Sequence, residues 1–239
     1  MCGLIAGIEA LALVAESTRR FTDSVTLLSD GQVGEATLIP PWTRGHVITH
    51  VARAADSYRR LLTGAIEGVE APQYPSMQFR ADQIEEGAKR PVGELVADVI
   101  DSSARFDEMM RTLPEVAWRA SVRMRPGELR APAALPLIRL REIEVHHVDL
   151  AVGYTFGDIA ADTAAWVIDD ILMELGRRAE IRPLRLTATD TGLSRELGVD
   201  GPLISGTQAD LLAWLSGRTS GAGLSAEGAE TVPPASYWI

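Results

Sequence analysis

Along the first two thirds of the chain, apolar residues recur every three to four positions, the rhythm of amphipathic helices. Val14, Thr18, Phe21, Val25 and Leu28 keep a 4-3-4-3 spacing, which lays one buried stripe along a first helix, with Asp30-Gly31 as its end. Val47, Val51, Ala54, Tyr58 and Leu62 mark the inner face of a second helix. It starts after Pro40, Pro41, Trp42 and Thr43 and runs to about Gly64. Pro91 suits the opening turn of a third helix, reaching about Leu113 with Leu95, Val99 and Phe106 inward, because a first-turn proline forfeits no helical hydrogen bond. A fourth helix covers about 135–152 and stops near Gly153. Residues 68–87, carrying Pro72 and Pro75, form a long connection that could line a site, and a loop rich in Arg, Pro and Gly precedes the fourth helix. The order predicts a four-helix bundle whose long connection allows packing out of sequence order.

Beyond Gly157 the rhythm changes. Trp166, Ile168, Ile171 and Leu175 predict another helix, and 184–189 then alternates with period two, as a half-buried strand does. Short strands are expected near 194–197 and 203–205. Thr207, with Asp210 three residues on, is a capping signal for a last helix through Trp214 to Gly217. The fold class is therefore α+β: a bundle over 1–156, then a small α+β domain over 157–239.

Composition narrows the function. The net charge of −10 gives no basic surface for phosphate backbones, so a nucleic-acid partner is not expected. A small anionic substrate remains compatible, because a local group of arginines can hold carboxylates within an acidic protein. Nearly all the basic residues are Arg, and Lys89 is the only lysine. Cys2 is the only cysteine, which rules out an internal disulfide and fits a reducing compartment. Any thiol chemistry then draws its thiol from outside the chain. The apolar run at 4–15 contains Glu9, lacks a basic leader and is too short to span a bilayer, so a cytoplasmic protein without a membrane partner is expected. A monomer is the default expectation.

All four histidines fall in two clusters, His46/His50 on the second helix and His146/His147 on the fourth. Imidazole and carboxylate are the common ligands of divalent metals, and bundle interiors are a place where they are assembled. Arg139, Glu142, His146 and Asp149 share one polar stripe at spacing 3, 4, 3, and Glu142 and His146 can converge on one ion. His147 points off that stripe. On the second helix His50 lies nearer than His46 to the apolar face. Two other pairs, Glu144 with His147 and His46 with His50, are also allowed by helical geometry, and spacing alone leaves the choice open.

The stretches Trp42-Thr43-Arg44-Gly45-His46 through His50-Val51-Ala52-Arg53, and Arg141-Glu142-Ile143-Glu144-Val145-His146-His147-Val148-Asp149-Leu150, resemble the mycothiol-dependent maleylpyruvate isomerase family. So do Gly68-Val69-Glu70-Ala71-Pro72-Gln73-Tyr74 and the later Ala209-Asp210-Leu211-Leu212-Ala213-Trp214-Leu215-Ser216-Gly217-Arg218. The resemblance implies a DinB-like metal-binding bundle followed by a small α+β domain. It implies a divalent metal, zinc, on His50, Glu142 and His146, with mycothiol as thiol cofactor. His46, His147 and Glu144 become packing or supporting residues. One departure is Ala54, at a position where that family often carries Asn.

The activity so implied is isomerisation of maleylpyruvate to fumarylpyruvate: a metal-held thiolate adds to the cis double bond, the bond rotates, and the thiol leaves. Arginine forks suit the substrate's carboxylates and the developing enolate, which singles out Arg80 in the long connection and Arg218 after the last helix. Asp149 is the candidate for orienting thiol or substrate, and the site is expected between the two domains. Two other readings keep the same bundle: a mycothiol S-transferase acting on another electrophile, and a non-catalytic metal-stabilised binding protein.

Overall fold

The computed structural model describes residues 2–178, 180 and 182–235, with side chains from Gly7 onward; the side chain of Cys2 lies outside that description. The chain divides into two compact units, Met1–Val152 and Gly153–Ile239.

In the first unit, α1 spans Cys2–Thr26, α2 Asp30–Val33, α3 Arg44–Glu67, α4 Met77–Gly87, α5 Val92–Arg111, α6 Glu115–Trp118 and α7 Leu135–Asp149. The four long helices α1, α3, α5 and α7 pool their apolar faces in one core that includes Phe21, Val25, Val47, Val51, Leu95, Val99, Leu140 and Ile143. Around the bundle the order is α1, α5, α3, α7, so α1 and α3 are diagonal, as are α5 and α7. The out-of-order packing therefore comes from the two links that cross the bundle, before α3 and before α7. The 68–87 connection instead joins neighbours, α3 and α5.

Several local readings change. Asp30 opens α2 rather than closing the first helix: Ser29 accepts from Gln32 N–H while the Gln32 side chain accepts from Ser29 N–H. Half of the long connection is helical. Ser76 caps α4 by accepting from Phe79 N–H at 3.0 Å, and α4 packs on α3. The Arg-, Pro- and Gly-rich loop holds α6 and a two-stranded hairpin, β1 Val122–Arg123 against β2 Leu129–Arg130. The fourth long helix ends at Asp149, because Ala151 turns left-handed at φ 52°.

α7 sets up the chemistry. Every residue of it except Leu137 is buried, although seven positions are charged or imidazole-bearing. A helix enclosed on all sides has no water for such groups, so each must find a partner inside the protein. Arg139, fully buried, donates to the Val51 carbonyl at 2.5 Å and to Ser103 Oγ at 3.1 Å, tying α7 to α3 and α5.

In the second unit, α8 (Ala161–Leu175) precedes β3 (Leu184–Ala188), β4 (Ser194–Leu197), β5 (Leu203–Gly206), α9 (Gln208–Leu215) and β6 (Ser225–Glu227). The sheet order is β4-β3-β5-β6, with β3 and β5 parallel and the other pairs antiparallel. Leu184, Leu186 and Ala188 face the core, as the period-two reading requires, and Thr207 caps α9 through the Asp210 N–H. β6 has no counterpart in the sequence reading. A helical bundle followed by a small sheet-containing α+β unit is thus the architecture. Among the described residues no helix is long and apolar enough to cross a membrane.

Candidate metal centre

α3 brings His50 and α7 brings Glu142 and His146 to one buried spot. One ligand atom from each lies within 4.8 Å of the others. His50 Nε2 is 3.2 Å and His146 Nε2 3.7 Å from the same carboxylate oxygen, Glu142 Oε2. The two imidazoles meet edge to face, 4.7 Å between centroids and 85° between planes. Two imidazole nitrogens and a carboxylate oxygen gathered within 4.8 Å form a donor set that suits a divalent cation such as zinc.

The surrounding groups hold these three in place. His146 Nδ1 meets Asp149 Oδ2 at 2.8 Å, which leaves Nε2 turned towards Glu142. Arg141 Nη2 donates to Glu142 Oε1 at 3.1 Å, so one carboxylate oxygen is taken and the other faces the histidines. Trp42, just before α3, stands 5.3 Å from the His50 ring. Arg80 of α4 lies with its guanidinium 5.7 Å from the ring centres of both Trp42 and Tyr74, and its Nη2 is 3.4 Å from His50 Nδ1.

Electrostatics separate the two histidines. Burial, reinforced by the cationic neighbours His146 and Arg80, pushes His50 down to about 4 against the pull of Glu142, so His50 is neutral at pH 7. Burial also opposes charge on His146, but the carboxylates of Asp149 and Glu142 outweigh it and raise its pKa. Burial opposes charge on Glu142 too; there the hydrogen bonds with His146 and His50 and the Arg141 charge prevail, and the carboxyl stays well below its ordinary range.

Of the residues singled out from sequence, His50, Glu142, His146, Asp149 and Arg80 come together. Arg218 belongs to the second unit, where it donates to the Ser216 carbonyl at 2.6 Å. The other histidines have separate work. His46 Nδ1 sits 2.7 Å from Thr43 Oγ1 and caps α3, while its Nε2 meets Glu85 at 3.0 Å. His147 bonds Ser24 on α1 at 2.8 Å and rests edge-on against Phe21, and Glu144 pairs with Arg20 at 2.6 Å. Sequence reasoning missed Arg141, Trp42 and Tyr74 as neighbours of the site. Arg141 precedes Glu142 directly, and adjacent helix positions are not expected to meet.

The class defined by this fold and site is a two-unit protein with a buried His–Glu–His cluster in a four-helix bundle. The profile of the mycothiol maleylpyruvate isomerase N-terminal domain matches residues 14–151, and that of the MDMPI C-terminal domain matches residues 158–235. The chain belongs to the mycothiol maleylpyruvate isomerase family. It is similar to the crystal structure of a mycothiol-dependent maleylpyruvate isomerase, with TM-score 0.86, 28% identity and 96% of each chain covered. A histidine-to-alanine mutant of that isomerase matches equally well, at TM-score 0.86 and 28% identity over 96% of each chain. No curated protein sequence matches.

Proposed function

We propose that the protein is a cytoplasmic, mycothiol-dependent isomerase that converts maleylpyruvate to fumarylpyruvate, with zinc held by His50, Glu142 and His146. The observation that carries this reading is the convergence of those three ligand atoms within 4.8 Å from two different helices. Family membership and the near-full-length likeness to an isomerase support the reaction type.

Three protein ligands leave a coordination position open, as catalytic sites require. When bound, the metal supplies the positive charge that keeps the mycothiol sulfur as thiolate, and the thiol supplies reversible addition that frees the cis double bond to rotate. The chain's own residues do the rest. His50, held neutral by burial, can ligate an ion with no change in its net protonation. Asp149 fixes the His146 ring so that Nε2 is the free nitrogen. Arg141 keeps Glu142 ionised and aimed. Arg80, a cation set between two aromatic rings, binds a substrate carboxylate and steadies the charge that spreads to the enolate oxygen.

The test is conversion of maleylpyruvate by purified protein with mycothiol and metal each present or withheld. The expected outcome is turnover only with both, with the free thiol regenerated. Turnover that survives chelation and thiol omission would remove the reading. Stoichiometric loss of free thiol would make the protein a mycothiol S-transferase instead.

A further inference from the structure

α3 and α4 enclose a groove of about 320 Å³ whose lining is out of character for an acidic chain. Four arginines, Arg53, Arg59, Arg60 and Arg80, line it together with a single acidic residue, Asp56. Arg53 is paired with Asp98 and, at 3.2 Å, with Asp56, which also meets Arg59 at 3.5 Å and Arg105 at 3.2 Å, whereas among the described residues neither Arg60 nor Arg80 has a carboxylate partner. The Nε groups of Arg53, Arg59 and Arg80 are buried without any hydrogen-bond acceptor. Like charges crowded at a partly desolvated surface, with unfilled donors among them, cost stability unless an anion joins them.

The position of the groove says what the anion serves. Arg80 forms its inner end, where the guanidinium reaches His50 Nδ1 at 3.4 Å. From Arg53 to Arg60 the lining follows α3 for about 10 Å at 1.5 Å per residue. A dicarboxylate with its reacting carbons at the metal cluster could therefore extend its remote carboxylate along this wall.

We infer that the groove is an anion subsite for the remote carboxylate of a dicarboxylate electrophile, with Arg80 as the inner cation and Arg60 as the outer one. The inference deepens the proposed function and rests on that reading for its choice of electrophile.

Isothermal titration of the metal-loaded protein with maleate at low salt tests it, comparing wild type with Arg60→Glu, Arg60→Gln and Arg60→Lys. Zinc content and a thermal melt are measured on each protein. The expected result is maleate affinity at least about tenfold weaker in Arg60→Glu, intermediate in Arg60→Gln and kept in Arg60→Lys, with unchanged zinc. The difference should shrink in 0.5 M salt, because exposed charges are screened there. Equal affinity in Arg60→Glu and wild type, or no maleate binding by wild type, overturns the subsite. The graded loss of binding in a protein without thiol-dependent turnover would sustain the subsite and remove the isomerase reading.

Discussion

Asp149 holds His146 from behind: Nδ1 of the imidazole lies 2.8 Å from Oδ2 of the carboxylate, one turn along the same buried helix. The contact selects the tautomer and the ring angle, so Nε2 is presented towards Glu142 and His50. A carboxylate behind a histidine is the usual way a metal ligand is oriented and made more basic.

Asp149→Asn should keep the fold and loosen the ion. An amide can still hydrogen-bond the ring but loses the charge, and metal affinity is expected to fall by about 10–100-fold. Competition against a chromogenic chelator measures it; affinity equal to wild type would deny Asp149 its orienting role.

Glu142→Ala should purify with far less zinc than wild type, because the one anionic ligand is gone and two imidazoles face an empty corner. Elemental analysis of both proteins settles the ligand set. Equal zinc in the two would refute it.

Metal affinity should rise with pH and then level off. The folded pKa of His146 is raised, so at lower pH a proton occupies this ligand and must leave before the ion binds. His50, held down to about 4, stays neutral through this range and does not compete. Titrations in buffers of different ionisation enthalpy should find about one proton released per ion below the His146 pKa and none well above it. A proton count independent of pH contradicts the assignment.

Gly45→Ala should destabilise the first unit. A Cβ built there would stand 2.2 Å from the Ala88 carbonyl oxygen and 2.9 Å from Val33 Cγ1, so α3 could not keep its approach to the end of α4. Overpacking of this kind costs about 1–3 kcal/mol, readable as a lower denaturant midpoint. A midpoint equal to wild type would show that the contact yields freely.

The long helices and the β3 strand are legible because their periodicities are strong. α4 is hidden because only Ile84 and Gly87 of it are buried, too few to register as a stripe beside Pro72 and Pro75. At the site, the i, i+4 spacing of Glu142 and His146 survives into three dimensions. Their meeting with His50 depends on which helices become neighbours, and periodicity does not encode that. The resemblance to a known family supplied it. The seating of Arg80 between Trp42 and Tyr74 was equally out of reach, since three separate segments make it. The bundle order is a further case: one reads four helices from the pattern, and only tertiary packing reveals that α1 sits diagonal to α3 and α5 diagonal to α7.

That diagonal order bears on assembly during synthesis. His50 and Glu142 are 92 positions apart, on helices brought side by side only when the last long helix docks. A chain stopped short of α7 holds only one of these three donors. The metal can therefore act only as a late latch on a completed bundle, tightening the finished protein by mass action while offering nothing to its unfinished forms.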